Sequence, residues 1–181
     1  GAGGSAVART LAKSGKRVLI LERGGRLPVE EENWSPDAIV SEGRYRTDEM
    51  WLTGDDEELN PHVYYNVGGN TKVYGSALLR LRPEDFGELQ TLEGLSPAWP
   101  ISYDELAPYY DQAEAVYHVH GQRGADPFEP PAGPFPHPPI AHDPRIQEVA
   151  DGLRSVGVQA FELPMGVKFS ERLPGDGPFV L

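Results

Sequence analysis

Three glycines open the chain, at Gly1, Gly3 and Gly4, and an acid, Glu22, stands eighteen positions after the third. Backbone N–H groups at such a glycine turn can come close to a pyrophosphate, because no Cβ intervenes and positive φ is accessible. A carboxylate about 20 residues further on is placed to accept from ribose hydroxyls. The residues read as contacting a dinucleotide here are Gly1, Ala2, Gly3, Gly4 and Glu22. Arg23 follows as a contact to adenine or phosphate, with a solvated surface role equally open. A second segment, Val67-Gly68-Gly69-Asn70-Thr71-Lys72-Val73-Tyr74-Gly75-Ser76, again pairs adjacent glycines with amide and hydroxyl side chains. On turn chemistry alone it reads equally well as a hairpin turn.

The elements between these residues fit the chemistry. Ala6, Val7, Thr10 and Leu11 recur at helical spacing, which gives one side for packing on a sheet. Gly15 sits where a glycine ends a helix. Val18-Leu19-Ile20-Leu21 is a continuous apolar run, as expected of a parallel strand over 17–22 covered on both faces. Turn, helix, strand and acid in that order predict an α/β protein with a Rossmann-like dinucleotide fold, incomplete because the first strand would precede Gly1. Two registers are open. Gly1-x-Gly3-x-x-Ala6 fits the fingerprint, and so does a preceding glycine followed by Gly1 and Gly4; the second sets Gly4 where the helix approaches the strand.

Further along, 26–62 reads as an extended polar excursion, and 63–67 as a short strand. Ser102-Tyr103-Asp104-Glu105 is a capping box opening a helix to about His118, with a kink or restart expected at Pro108. Asp143 and Pro144 open another helix with a buried stripe of Ile146, Val149, Ala150 and Leu153, ended by Gly157. Residues 158–163 read as a strand. The expected organisation is a partial cofactor domain over 1–120 with long proline- and glycine-rich loops. A proline-rich arm follows over 121–143, then the start of an inserted or appended α+β region over 144–181.

Together these segments resemble the glucose–methanol–choline (GMC) oxidoreductase family. The likeness rests on residues 1–24 and on 67–86, including Arg80-Leu81-Arg82-Pro83-Glu84-Asp85-Phe86. It extends to Trp99-Pro100-Ile101-Ser102-Tyr103-Asp104-Glu105-Leu106 with Tyr109-Tyr110 after it. The resemblance implies an FAD-binding domain and oxidation of an alcohol, polyol or sugar to a carbonyl, with hydride passing to flavin N5. It implies that Gly1, Gly3 and Gly4 hold the pyrophosphate and Glu22 the ribose. Gly68, Gly69, Asn70, Thr71, Val73, Tyr74, Gly75 and Ser76 would pass beside the isoalloxazine ring. Val73 stands where some members carry a histidine bonded to flavin, so noncovalent FAD is expected; Tyr74 stands where many have Asn. The family's catalytic histidine and its partner lie past Leu181, so no residue here is assigned a catalytic role. The electron acceptor would be oxygen or a quinone-like carrier.

Bulk properties narrow the alternatives. A net charge of −12 over 181 residues opposes a nucleic-acid partner, which calls for a basic patch. The absence of cysteine removes thiolate metal sites. His118-x-His120 is a poor metal pair, since i and i+2 diverge on a helix and no third ligand is evident; no metal is expected. No apolar run reaches the roughly 18 residues of a membrane span. Compartment is not fixed, with the cytoplasm the default. Tyr109, Tyr110 and Tyr117 read as packing, Trp34, Trp51 and Trp99 as loop anchors, and His62, His137 and His142 as loop surface. Two alternatives stay open: another Rossmann flavoprotein or NAD-dependent dehydrogenase, and an inactive fragment whose uncovered sheet edge makes it aggregate.

Overall fold

The computed structural model describes residues 1–92 and 94–169. They divide into two compact units, one over Gly1–Gly75 and the other from Ser76 on. The secondary structure is mixed: helices with small two-stranded antiparallel sheets. A complete Rossmann sheet is not formed among the described residues.

The first unit opens with α1 (Ala2–Leu11), continued by a 3₁₀ turn over Ala12–Ser14. Ala2, Ala6, Ala8, Arg9 and Leu11 favour helix strongly enough to offset Gly3 and Gly4, at about 1 kcal/mol each. Gly15 ends the turn in the left-handed region at φ 70°, as its position predicts. The expected parallel strand over 17–22 is absent. Residues 18–21 form no ladder, and Leu19 and Leu21 are 81% and 83% exposed. The physical reason is pairing: a parallel strand is held by neighbours on both edges and covered on both faces. None of the described residues offers either to this run. For the same reason the apolar side of α1 covers nothing, and no residue of the helix is buried.

The excursion over 26–62 carries local structure that its polarity hides. A 3₁₀ turn (Glu31–Trp34) and a π-type turn (Asp37–Ser41) are braced by a polar cluster. Within it the Arg44 Nε (2.9 Å) and the Tyr45 hydroxyl (2.7 Å) both donate to Glu30 Oε1. A hairpin follows, β1 (Trp51–Leu52) with β2 (Glu58–Leu59); the acidic run Asp55-Asp56-Glu57-Glu58 supplies its turn and enters β2. The expected strand over 63–67 is irregular chain instead, used to hold neighbouring loops.

The second unit holds β3 (Leu89–Thr91) paired with β4 (Gly94–Ser96), α2 (Tyr103–Val116), β5 (Val119–His120), α3 (Pro144–Ser155) and β6 (Met165–Gly166), which pairs with β5. The capping box is present: Ser102 Oγ accepts from the Glu105 N–H, and the Glu105 carboxylate accepts from the Ser102 N–H. α2 runs uninterrupted through Pro108, so no restart occurs; the proline lies in the second turn and removes only the bond to the Asp104 carbonyl. α3 opens as predicted, with Asp143 Oδ1 accepting from the Arg145 N–H at 3.0 Å. Of its expected stripe only Ala150 is buried; Ile146, Val149 and Leu153 remain exposed, since amphipathic spacing shows which face could be covered and not that something covers it. Residues 158–163 form no strand, and pairing begins at Met165.

Buried in this unit are Phe86, Tyr103, Val119, Phe135, Ala150 and Val167. An ionic network runs beside them. Arg80 donates from Nε to Glu114 Oε1 (2.7 Å) and from Nη2 to Asp111 Oδ1 (2.6 Å). Arg123 donates to Glu114 Oε2 (2.7 Å) and Glu129 Oε1 (2.6 Å). These pairs hold α2 to the start of the proline-rich arm. The arm folds back, with the His137 N–H donating to the Val119 carbonyl (3.2 Å) and the Gly121 N–H to the His137 carbonyl (3.1 Å).

Candidate dinucleotide site

The site lies in the first unit and begins with the N-terminus of α1. Gly1 is the N-cap and makes no side-chain cap bond, and no acid stands in the first turn. The Ser5 N–H donates to the Gly1 carbonyl (3.1 Å), so helical bonding starts there. The N–H groups of Ala2, Gly3 and Gly4 precede it and have no intrahelical acceptor. Nothing stands within 4 Å of where a Cβ would project from Gly3 or Gly4. This is a positive helix end whose Gly3 and Gly4 side-chain positions are open.

The second glycine segment comes to it. A Cβ on Gly1 would stand 3.1 Å from the Gly68 carbonyl oxygen and 3.8 Å from Thr71 Cγ2 and Oγ1. Gly68 (φ 98°) and Gly69 (φ 56°) are both left-handed and lead into a 3₁₀ turn over Gly69–Lys72. The Thr71 hydroxyl closes this turn by donating to the Gly68 carbonyl. The hairpin alternative for Gly68-Gly69 is therefore not what forms: the glycines start a helical turn packed on the helix end.

The acid comes to the same place. Glu22 Oε1 lies 3.8 Å from the Gly1 nitrogen. There it faces the Gly1 ammonium, and the chain just after it is held as well. A Cβ on Gly24 would fall 1.5 Å from the Tyr65 carbonyl oxygen, so only glycine fits. The Val67 N–H donates to the Gly25 carbonyl at 2.8 Å. Arg23 lies over the Tyr65 ring at 3.9 Å and bonds Glu49 Oε2 at 2.5 Å. The Tyr65 hydroxyl, then Arg23, hold the Glu49 carboxyl below the usual carboxylate range.

Gly1, Gly3, Gly4, Glu22, Gly68, Gly69 and Thr71 are thus gathered around one helix end. Asn70 serves the loop: its Oδ1 accepts from the Tyr64 N–H (2.9 Å) and its Nδ2 donates to the His62 carbonyl (3.4 Å). Val73 and Tyr74 are half-buried and Gly75 is exposed. Ser76 is buried at the start of the second unit, with φ 61° and its carbonyl accepting from the Gly166 N–H at 2.8 Å. Sequence reasoning missed Gly24, Tyr65 and Glu49. The adjacent pair Gly24-Gly25, beginning two positions after the acid, was the available signal for the first of these.

The tempting aromatic residues fall elsewhere. Tyr110 stacks on Tyr103 (6.0 Å), its hydroxyl accepting from the Leu81 N–H, while Trp99 packs on Phe86 (5.8 Å). His118 and His120 both stack on His137, at 5.6 and 4.7 Å. Among the described residues no cluster of His, Asp or Glu could hold a metal ion, and no helix is long and apolar enough to cross a membrane.

No known family model matches the chain. Individual proteins do. The chain is 35% identical over 175 residues to paromamine 6'-oxidase of Streptomyces fradiae, covering 92% of this chain and 29% of that protein. It is 31% identical over 166 residues to 2-methyl-1,2-propanediol dehydrogenase of Mycolicibacterium austroafricanum (87% and 30%). It is 31% identical over 157 residues to the fructose dehydrogenase large subunit of Gluconobacter japonicus (74% and 29%). The chain therefore spans about three-tenths of the length of these relatives. These similarities, carried by a chain whose two glycine segments meet at one helix end, make it a member of the glucose–methanol–choline oxidoreductase family.

Proposed function

We propose that the chain carries the FAD-binding part of an enzyme that oxidises a CH–OH group of an alcohol, polyol or sugar to a carbonyl. The observation that carries this reading is the convergence of the Gly1 helix end, the Gly68 turn and the Glu22 carboxylate. The residues fit the group. The N–H groups of Ala2, Gly3 and Gly4, which have no intrahelical acceptor, suit an anionic pyrophosphate, and no neighbour crowds the side-chain positions of Gly3 and Gly4. Glu22, acceptor-only when ionised, suits ribose hydroxyls. By the resemblance, 68–75 would run beside the isoalloxazine ring, where the dipoles of its backbone would offset negative charge on a reduced flavin. Bound FAD supplies the hydride acceptor. Relatives named for paromamine, a propanediol and fructose support a hydroxylated small molecule as substrate, with oxygen or a quinone-like carrier as electron acceptor.

The test is the visible spectrum of the complete gene product, purified without added cofactor. Absorption near about 450 nm, bleached anaerobically by an alcohol or sugar, is the expected result. Tight binding of a nicotinamide nucleotide without flavin would overturn the reading. Since Val73 stands where a covalent attachment would require histidine, acid precipitation should release the flavin into the supernatant. A yellow pellet would refute noncovalent binding.

A further inference from the structure

Asn66 is 9% exposed, and neither its Nδ2 nor its Oδ1 has a hydrogen-bond partner. A buried carboxamide that loses its water without gaining a partner is destabilising, and native proteins keep few of them. An apolar side chain of the same size would suit folding alone better. The contrast with Asn70, four residues on, is direct: both atoms of that amide are bonded within the loop.

The backbone around Asn66 lies between the two contacts that make the site. Before it, the Tyr65 carbonyl fills the space over Gly24; after it, the Val67 N–H donates to the Gly25 carbonyl. Its own carbonyl accepts from the Gly69 N–H at 2.8 Å, which fixes the second glycine turn. Asn66 is therefore tied to the chain that leaves Glu22 and to the turn that packs on Gly1. The backbone is fixed on both sides, while the carboxamide it carries has a donor and an acceptor unused, both open to a ligand seated beside it.

From this we infer that Asn66 is a cofactor-binding residue whose carboxamide hydrogen-bonds the adenosine half of the dinucleotide. The inference rests on the FAD reading above. Its chemistry separates the halves of the site. A pyrophosphate oxygen could use the Nδ2 donor but would repel Oδ1. An adenine edge or ribose hydroxyl offers donor and acceptor together and satisfies both. Adenosine is also the half next to Glu22, and the Asn66 backbone is attached immediately after that acid.

The experiment uses the complete gene product, stripped of flavin and titrated with FAD and separately with ADP, for wild type, Asn66→Leu and Asn66→Asp. Thermal melting of each apo-protein is measured alongside. We expect Asn66→Leu to weaken both FAD and ADP by about tenfold or more while the apo-protein melts at or above the wild-type temperature, because an unsatisfied amide has been removed. Should Asn66→Leu not melt cooperatively, the nearly isosteric Asn66→Asp carries the test, with the same loss expected because the donor is gone. Wild-type affinity for both ligands in a folded variant overturns the inference. Weaker FAD with unchanged ADP overturns the assignment to adenosine. A wild-type protein that binds no FAD overturns the cofactor reading itself, which is a distinct result.

Discussion

The contact between Gly24 and Tyr65 makes the sharpest prediction. A methyl group at position 24 would lie 1.5 Å from the Tyr65 carbonyl oxygen, 2.3 Å from its carbon and 3.0 Å from the Asn66 nitrogen. All three are backbone atoms, so no rotamer change relieves the clash. The Tyr65 carbonyl has to retreat by about 2 Å to regain ordinary van der Waals contact. That retreat pulls on the Val67–Gly25 hydrogen bond and moves Glu22 away from Gly1. Overpacking a fitted site costs about 1–3 kcal/mol where side chains can adjust, so a backbone clash belongs at or above about 3 kcal/mol. Gly24→Ala in the complete gene product should therefore lower the melting temperature by several degrees and weaken FAD. Gly25→Ala is the control: nothing stands within 4 Å of its Cβ, and its melting temperature should stay within about 2 °C of wild type, as for an ordinary surface change. The assays are thermal melting and FAD titration of both variants. A Gly24→Ala protein with wild-type melting and wild-type FAD affinity would refute the packing argument.

Other positions respond differently. Glu22→Ala should weaken FAD by roughly tenfold to a hundredfold, the loss of a charge-assisted hydrogen bond of about 1.5–3 kcal/mol, while leaving the melting temperature of the apo-protein nearly unchanged; equal affinity would remove Glu22 from the site. Glu114→Ala strips both Arg80, whose side chain is 3% exposed, and Arg123 of a carboxylate, and should destabilise by about 3–5 kcal/mol by denaturant unfolding, whereas Arg80→Met with Glu114→Leu should cost much less. Desolvation, then the neighbouring His120 and His118, lower the pKa of His137 below 6.5. Its folded state therefore binds protons less readily than its unfolded state. The stability it contributes is complete above that value and is lost as pH falls through the folded pKa. The protection factor of the Gly121 amide, its exchange rate corrected for the intrinsic pH dependence, should fall on acidification in wild type and less so in His137→Phe; identical profiles would count against the stack.

What the sequence revealed follows the range of the forces involved. The caps were legible because they are local: Ser102 with Glu105, Asp143 with Pro144, and Gly15 each act within a turn of their own helix. The glycine turn and the acid were legible because their order and spacing match those expected of a pyrophosphate turn and a ribose acid. Strand content was not. Residues 18–21 and 158–163 carry β-favouring composition, but pairing is decided by what lies alongside, and composition does not contain that. Asn66 was missed for a related reason. One asparagine after Tyr64 and Tyr65 carries no pattern, and its meaning appears only when burial and the absence of partners are seen together.

The gathering of the site does not depend on the sheet from which it was first read. In the expected fold, a strand over 17–22 would carry Glu22 to the helix end. Here that run pairs with nothing, yet Glu22 still lies 3.8 Å from Gly1. The Gly1 ammonium attracts the carboxylate, and two glycine contacts, Gly24 on Tyr65 and Gly1 on Gly68, join one short segment, 65–68, to the two ends of the helix-to-acid loop. The segment acts as a clip across the loop. Side chains at either glycine would push it out: backbone atoms leave no room at Gly24, and the Gly68 carbonyl leaves little at Gly1. A sheet added beside residues 18–21 would cover their apolar side chains and add stability. The position of acid relative to turn would already be set by the clip. The second glycine motif therefore has a structural duty toward the first, which is why the two carry more information together than either does alone.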